Sequence, residues 1–190
     1  MLKVFVTCAC IFITACGRYG PPLPPEVLAP KAVSGLHVQG EEAGIKFAWT
    51  APRVDQRGKE LKSLDGYRLY RKVLVRPSDA TNKDVKFLLL ATIEDHHVDL
   101  REEKRREARA QGKPVRRIQA PTNATKFEYS DRAVVRGITY LYKLVPFNQE
   151  DVESVTPSIT TVSFDGANSQ ITLGADTSSS GQSGSMFDEL

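Results

Sequence analysis

An all-β sandwich of about seven strands is the fold class this sequence predicts, and three observations predict it. Short runs rich in β-branched and aromatic residues alternate apolar with polar positions. Gly, Pro, Asp and Asn punctuate those runs. Only one stretch of the chain has a helical pattern, which argues against an α/β fold of alternating crossovers. The predicted strands are 33–39, 45–50, 66–72, 86–93, 125–129, 139–148 and 156–164, with turn signals at Gly40, Pro52, Asp65-Gly66, Gly137 and Asn148. By the period of two, Tyr140, Tyr142 and Leu144 share one strand face, as do Tyr67 and Leu69. Both sets can then meet Ile45, Phe47 and Trp49 in a core between two sheets. Trp49, Tyr67, Leu69, Tyr140, Tyr142 and Leu144 are therefore read as structural core rather than as a ligand-binding aromatic platform.

The order of landmarks carries a more specific resemblance. Pro30, Val33, Gly35, Leu36 and Val38 open the series; Ile45-x-Phe47-x-Trp49-x-x-Pro52 follows, then 64–71 (LDGYRLYR). The strongest piece is 137–148 (GITYLYKLVPFN), followed by Glu153-Ser154 and Pro157-Ser158. Four motifs in this order resemble a fibronectin type III domain, an immunoglobulin-like sandwich, over most of residues 30–165. The resemblance implies that Tyr140 is a corner tyrosine whose hydroxyl reaches back to a backbone group a few residues upstream.

The N-terminus reads as an export signal. Lys3 precedes an apolar run of 12 residues, Val4 to Ala15, that ends in Ile13-Thr14-Ala15-Cys16-Gly17. As a helix the run spans roughly 18 Å, against about 30 Å of bilayer hydrocarbon. It is too short to be a transmembrane anchor, whereas a basic residue, an apolar core and small residues at the break are the parts of a secretory signal. With the cysteine in that place, the segment resembles a bacterial lipoprotein signal. The resemblance implies a lipid on Cys16, cleavage before it, and residence at the cell envelope, in the outer membrane of a Gram-negative bacterium on the strength of Gly17. Two or more acyl chains give stable anchoring where one holds only marginally. Residues 16–31, dense in proline, are expected to be an extended tether, on the order of 45 Å long, favouring polyproline II. Cys8, Cys10 and Cys16 are the only cysteines of the 190 residues. Cleavage removes two and the lipid consumes the third, so neither a disulfide scaffold nor a cysteine zinc site is expected.

Between the strands at 86–93 and 125–129 lies an insertion, about 94–124, longer than the resemblance allows. Asp99 as N-cap with Glu102 three residues later marks a candidate helix start, and Gly112 and Pro114 mark its end. Leu100 is its one large apolar residue from Asp99 to Gln111, so the helix is expected to project into solvent and to be marginally stable. Arg101, Lys104, Arg105, Arg106, Arg109, Lys113, Arg116 and Arg117 stand against Glu102, Glu103 and Glu107, a local excess of +5 on a chain whose formal net charge is +3. These eight cations are the candidate surface for an anionic partner such as lipid head groups, lipopolysaccharide phosphates or an acidic protein. Nucleic acid is excluded as a partner, because no aromatic residues interleave the cations to stack bases.

Catalytic signals are missing. No Gly-rich phosphate loop and no Gly-x-Ser-x-Gly turn is present. His96 and His97, read as neighbours on a strand, point to opposite faces and do not share a metal. The expectation is a non-enzyme with no cofactor and no metal. The domain is placed at 32–165, and 166–190, dominated by Ser, Gly, Thr, Asp, Gln and Asn, is expected to be a disordered tail. The function expected is a lipid-anchored module for protein or surface binding or scaffolding. The alternative is an accessory of an outer-membrane assembly machine, acting through its lipidated Cys-Gly-x-x-Gly-Pro start.

Overall fold

Alternation decides which side of each strand is buried. Along β2 (Gly44–Thr50), Ile45, Phe47 and Trp49 are at most 3% exposed while Lys46, Ala48 and Thr50 are half-buried. The computed structural model describes residues 22–74 and 86–174. Their elements run α1 (Pro25–Leu28), β1 (Ser34–Glu41), β2, β3 (Gly66–Leu74), β4 (Leu88–Glu94), α2 (His97–Ala110), a 3-10 turn (Thr122–Thr125), β5 (Lys126–Asp131), β6 (Thr139–Phe147), β7 (Ser158–Ser163) and β8 (Gln170–Gly174). They form two antiparallel sheets, ordered β1-β2-β5 and β4-β3-β6-β7-β8. This is an all-β, immunoglobulin-like sandwich, as the motif order predicts.

The core sits between the sheets. Tyr67 and Leu69 of β3 and Tyr140, Tyr142 and Leu144 of β6 meet Ile45, Phe47 and Trp49, joined by Val38, Leu61, Leu64 and Val162. Trp49 meets Tyr67 edge-on at 5.3 Å between centroids, Phe47 meets Tyr142 at 4.8 Å, and Phe127 of β5 lies 4.9 Å from Tyr67. Such pairs contribute about 0.5 to 1.5 kcal/mol each beyond area burial. The Tyr140 hydroxyl accepts a hydrogen bond from the Val135 N–H at 2.9 Å, five residues upstream. Gly137, at φ +79°, makes the turn into β6 and donates to the Phe164 carbonyl at 2.8 Å.

Three expectations about boundaries are corrected. The sequence places an extended tether at 16–31, but in its described part α1 is a helical turn, and Ala29 and Pro30 are buried. Lys31 N–H bonds the Val54 carbonyl, Gln56 N–H the Ala29 carbonyl, and the Gln56 side chain the Pro30 carbonyl. Once these residues dock on the loop after β2, packing outweighs the polyproline preference. At the other end the composition predicts a disordered tail over 166–190, yet within its described part β8 pairs with β7 and Ile171 packs on the core. The alternation of Gln170-Ile171-Thr172-Leu173 is short, and it is the open edge of β7 that gives it a partner.

The third correction concerns the inserted helix. It begins at His97 rather than after Asp99, and it does not project free: Val98 is 1% exposed and belongs to the core, with His97, Arg101 and Ala108 also buried. A start at Asp99 leaves Val98 outside the helix, which is why the apolar anchor was missed. Leu100 faces outward, 37% exposed. At the C-terminal end, Gly112 at φ +67° donates to the Arg109 carbonyl and Lys113 to the Ala108 carbonyl. This is a Schellman cap, which the left-handed glycine permits.

Candidate binding surface and cavity

The docking of α2 divides the eight candidate cations. Arg101 points inward, 5% exposed; its guanidinium donates to the Leu61 carbonyl at 2.7 Å and to Glu102 at 3.0 Å, and lies 3.5 Å from Glu60. Arg105 grips Glu60 with both terminal nitrogens, at 2.7 and 2.9 Å, and also reaches Glu102. The Arg105 hydrogen bond holds the Glu60 carboxyl below the usual range despite its partial burial, and Glu60 in turn raises Arg105. Arg101 and Arg105 therefore fasten the helix to the loop after β2, and the expectation that they face a partner is corrected. Lys104, Arg106, Arg109, Lys113, Arg116 and Arg117 are exposed. Among the described residues none of the six makes an ion pair, and Glu103 and Glu107 are exposed acids beside them.

Under the N-terminal end of α2 lies a cavity of about 500 Å³, lined by Arg53, Val54, Glu60, His97, Arg101, Gln119, Ala120, Thr122 and Thr125. Its walls are the loop after β2, the first turns of α2 and the segment leading into β5. Of these, His97 belongs to a buried polar chain. The Tyr67 hydroxyl donates to Asp95 Oδ2 at 2.5 Å, while Asp95 Oδ1 accepts from the His97 backbone N–H and faces His97 Nδ1, each at 2.8 Å. Asp95 is 1% and His97 4% exposed. Burial, and next the Asp95 charge, pushes the Tyr67 phenol far above the ordinary tyrosine range, so it remains a donor. The strand reading of His96 and His97 is also corrected: both sit at the start of α2, His96 exposed beside Glu94 and His97 buried.

A second buried carboxylate organises the opposite end of the core. Asp131 accepts from the Tyr142 hydroxyl and from Arg71, both at 2.8 Å, and from the Ala133 N–H at 3.0 Å. Burial first, then Asp131, raises the Tyr142 phenol well above its usual range. Neither Asp95 nor Asp131 was singled out from the sequence. The signal available was an Asp at the end of a strand with a core tyrosine on the same sheet or across from it.

The described residues bring the His97 imidazole, Arg53, Arg101 and Glu60 to one cavity. Among them no three His, Cys, Asp or Glu side chains come together to hold a metal ion. An imidazole oriented by a buried carboxylate is one part of a general-base arrangement, but no hydroxyl or thiol of the described residues hydrogen-bonds Nε2 of His97. Trp49, Tyr67, Leu69, Tyr140, Tyr142 and Leu144 are all at most 4% exposed. Cys16, and with it the predicted lipid site, lies outside the described residues, as do the signal segment 1–15 and the tail beyond 174.

The two antiparallel sheets, their strand order and the Tyr140 corner define an immunoglobulin-like sandwich. Among solved structures the chain is similar to the twitchin kinase region of C. elegans, with 11% identity and a TM-score of 0.37, covering 68% of this chain and 15% of that one. It is also similar to the third fibronectin III domain of the human KIAA0343 protein, with 11% identity and a TM-score of 0.35, covering 87% of this chain and 99% of that one. No protein-family model and no curated protein matches the sequence.

Proposed function

We propose that this chain is an envelope lipoprotein, anchored through lipid on Cys16, that holds its fibronectin type III-like module against an anionic surface. The observation that carries this reading is the Ile13-Thr14-Ala15-Cys16-Gly17 sequence at the end of a short apolar run. The geometry of the module supports it. The chain enters at Ala29–Lys31 by docking on residues 54–56, and the same loop holds α2 through Glu60. The entry point and the exposed cations of α2 and the segment after it thus share one loop as their support. A lipid anchor N-terminal to residue 29 brings that end of the module toward the membrane, where each basic residue near an anionic surface contributes about 1 kcal/mol.

Mass spectrometry of protein extracted from membranes tests the anchor: the expected species begins at a modified Cys16, and Cys16→Ser moves the protein to the soluble fraction. An unmodified mature protein, equally soluble with and without the substitution, overturns it. The surface is tested with the Cys16→Ser chain cosedimented with anionic and neutral vesicles at two salt concentrations. Binding to anionic vesicles alone, weakened by salt as screening over about 8 to 10 Å requires, is the expected result. Equal binding to both vesicle types, or none at low salt, overturns the membrane contact.

A further inference from the structure

The cavity beneath α2 holds a buried acceptor that packing does not explain. His97 is 4% exposed, and its Nδ1 lies 2.8 Å from Asp95 Oδ1. The Asp95 carboxylate also accepts from the Tyr67 hydroxyl and the His97 backbone N–H, so the ring proton sits on Nδ1 and Nε2 carries a lone pair. Nε2 makes no hydrogen bond among the described residues. The sealed polar atoms without a partner among those residues are Trp49 Nε1, Arg105 Nε and Thr160 Oγ1, so Nε2 is not sealed and opens on the cavity that His97 lines. Buried polar groups are nearly always satisfied, and a lone pair in a cavity wall calls for a ligand that donates a hydrogen.

Charge narrows the ligand. A carboxylate or phosphate sets its own lone pairs against Nε2. An ammonium meets an excess of cations: both Glu60 oxygens are taken by Arg105, Arg101 stands 3.5 Å from Glu60, and Arg53 at the rim makes no ion pair among the described residues. What remains is an uncharged donor. The other lining groups favour several hydroxyls over a single amide. Arg53 only donates, whereas Gln119 and Thr122, whose side chains make no hydrogen bond among the described residues, can both donate and accept. A hydroxyl donates its hydrogen and accepts at the same oxygen, so neighbouring hydroxyls on one ring can serve Nε2, Arg53, Gln119 and Thr122 together. Val54 and Ala120 supply apolar wall for the C–H face of such a ring. The volume of about 500 Å³ is within the range of small-ligand sites.

We infer that this cavity is a binding site for a neutral sugar, one hydroxyl of which donates to Nε2 of His97 while a neighbouring hydroxyl accepts from the Arg53 guanidinium. The sugar is either a free monosaccharide or one residue of a longer glycan. The site goes beyond the lipid-anchor reading and does not depend on it.

The test is a titration of the Cys16→Ser chain, 15N-labelled at histidine, at about pH 8, where an ordinary imidazole is neutral. The probes are glucose, galactose, mannose and N-acetylglucosamine, each also as its linear trisaccharide. The controls are tetrahydropyran, a ring of the same size without hydroxyls, and propionate. At least one sugar is expected to move the Nε2 resonance of His97 saturably and further than Nδ1, while the exposed His37 and His96 stay in place. Neither control is expected to move it. Arg53→Ala, an exposed rim substitution, is expected to weaken the affinity about threefold or more, the loss of one hydrogen bond, and Arg116→Ala to leave it unchanged. A trisaccharide that binds at least as tightly as its monosaccharide identifies a glycan as the source, and a monosaccharide that binds more tightly a free sugar. No shift of Nε2 with any sugar, an equal shift with either control, or unchanged affinity in Arg53→Ala overturns the site. So does a ring proton found on Nε2 before any probe is added.

Discussion

Buried polar atoms in this sandwich fall into two kinds, and substitution separates them. Thr160 is 1% exposed in β7, and its hydroxyl has no partner among the described residues. Burying an unbonded hydroxyl costs about 1 to 3 kcal/mol by mutational data. Valine keeps the β-branched shape, so Thr160→Val is expected to raise stability by about 1 kcal/mol, read from the midpoint of denaturant unfolding at unchanged slope. Asp55 is the opposite kind. Burial pushes its carboxyl upward, but Arg57, at 2.7 and 3.0 Å, and the amides of Lys59 and Arg57 outweigh that and hold it below the ordinary aspartate range. A carboxyl lowered by folding contributes stability that is complete above its unfolded value, about 3.9. That contribution is lost as pH falls through the folded value. Asp55→Asn is therefore expected to cost about 1.5 to 3 kcal/mol near neutrality. The difference from wild type should shrink as unfolding is measured below about pH 4. A difference that stays constant down to pH 2 would mean that charge is not what Asp55 contributes.

At the scale of elements, strands were legible wherever one face is apolar over five residues or more, because the period of two is then unambiguous. β2, β3 and β6 are of this kind. β8 has only two apolar residues in five, and α2 shows one apolar residue if read from Asp99, so in both the deciding term is a tertiary partner. The same reason hid the roles of the arginines. Sequence places eight cations in one run, but only the position of Val98 in the core fixes which face of α2 turns inward, and with it Arg101. The consequence is measurable. Arg101→Gln removes donors from the buried Leu61 carbonyl and from Glu102 and is expected to destabilise by about 1 to 3 kcal/mol. Arg106→Gln, Arg109→Gln, Arg116→Gln and Arg117→Gln, on the exposed side, are expected to change stability by within about 0.5 kcal/mol. Chemical denaturation of the five single variants checks this. Five equal effects would place α2 in solvent, as the sequence alone had it.

For the whole molecule, the question is what holds a sandwich together without covalent staples. All three cysteines precede residue 22, so the two described sheets contain none. The place a disulfide between sheets occupies in many sandwiches of this class is filled here by contact between Trp49, Phe47, Tyr67, Phe127 and Tyr142. Two buried Asp–Tyr hydrogen bonds, Asp95 with Tyr67 and Asp131 with Tyr142, close the cluster at either end. Cohesion by apolar area and hydrogen bonds does not depend on redox state. The thermal midpoint of the Cys16→Ser chain is accordingly expected to be the same with and without a thiol reductant. Trp49→Ala should lower it steeply: truncating a buried Trp costs about 3 to 5 kcal/mol, and each kcal/mol moves the midpoint by about 2 to 4 °C at this size. The expected drop is therefore on the order of 6 to 20 °C. Calorimetry of wild type and variant, each scanned in both redox conditions, reads the two effects separately. A midpoint that falls with reductant in the Cys16→Ser chain would mean that the aromatic cluster does not suffice as the account of its stability.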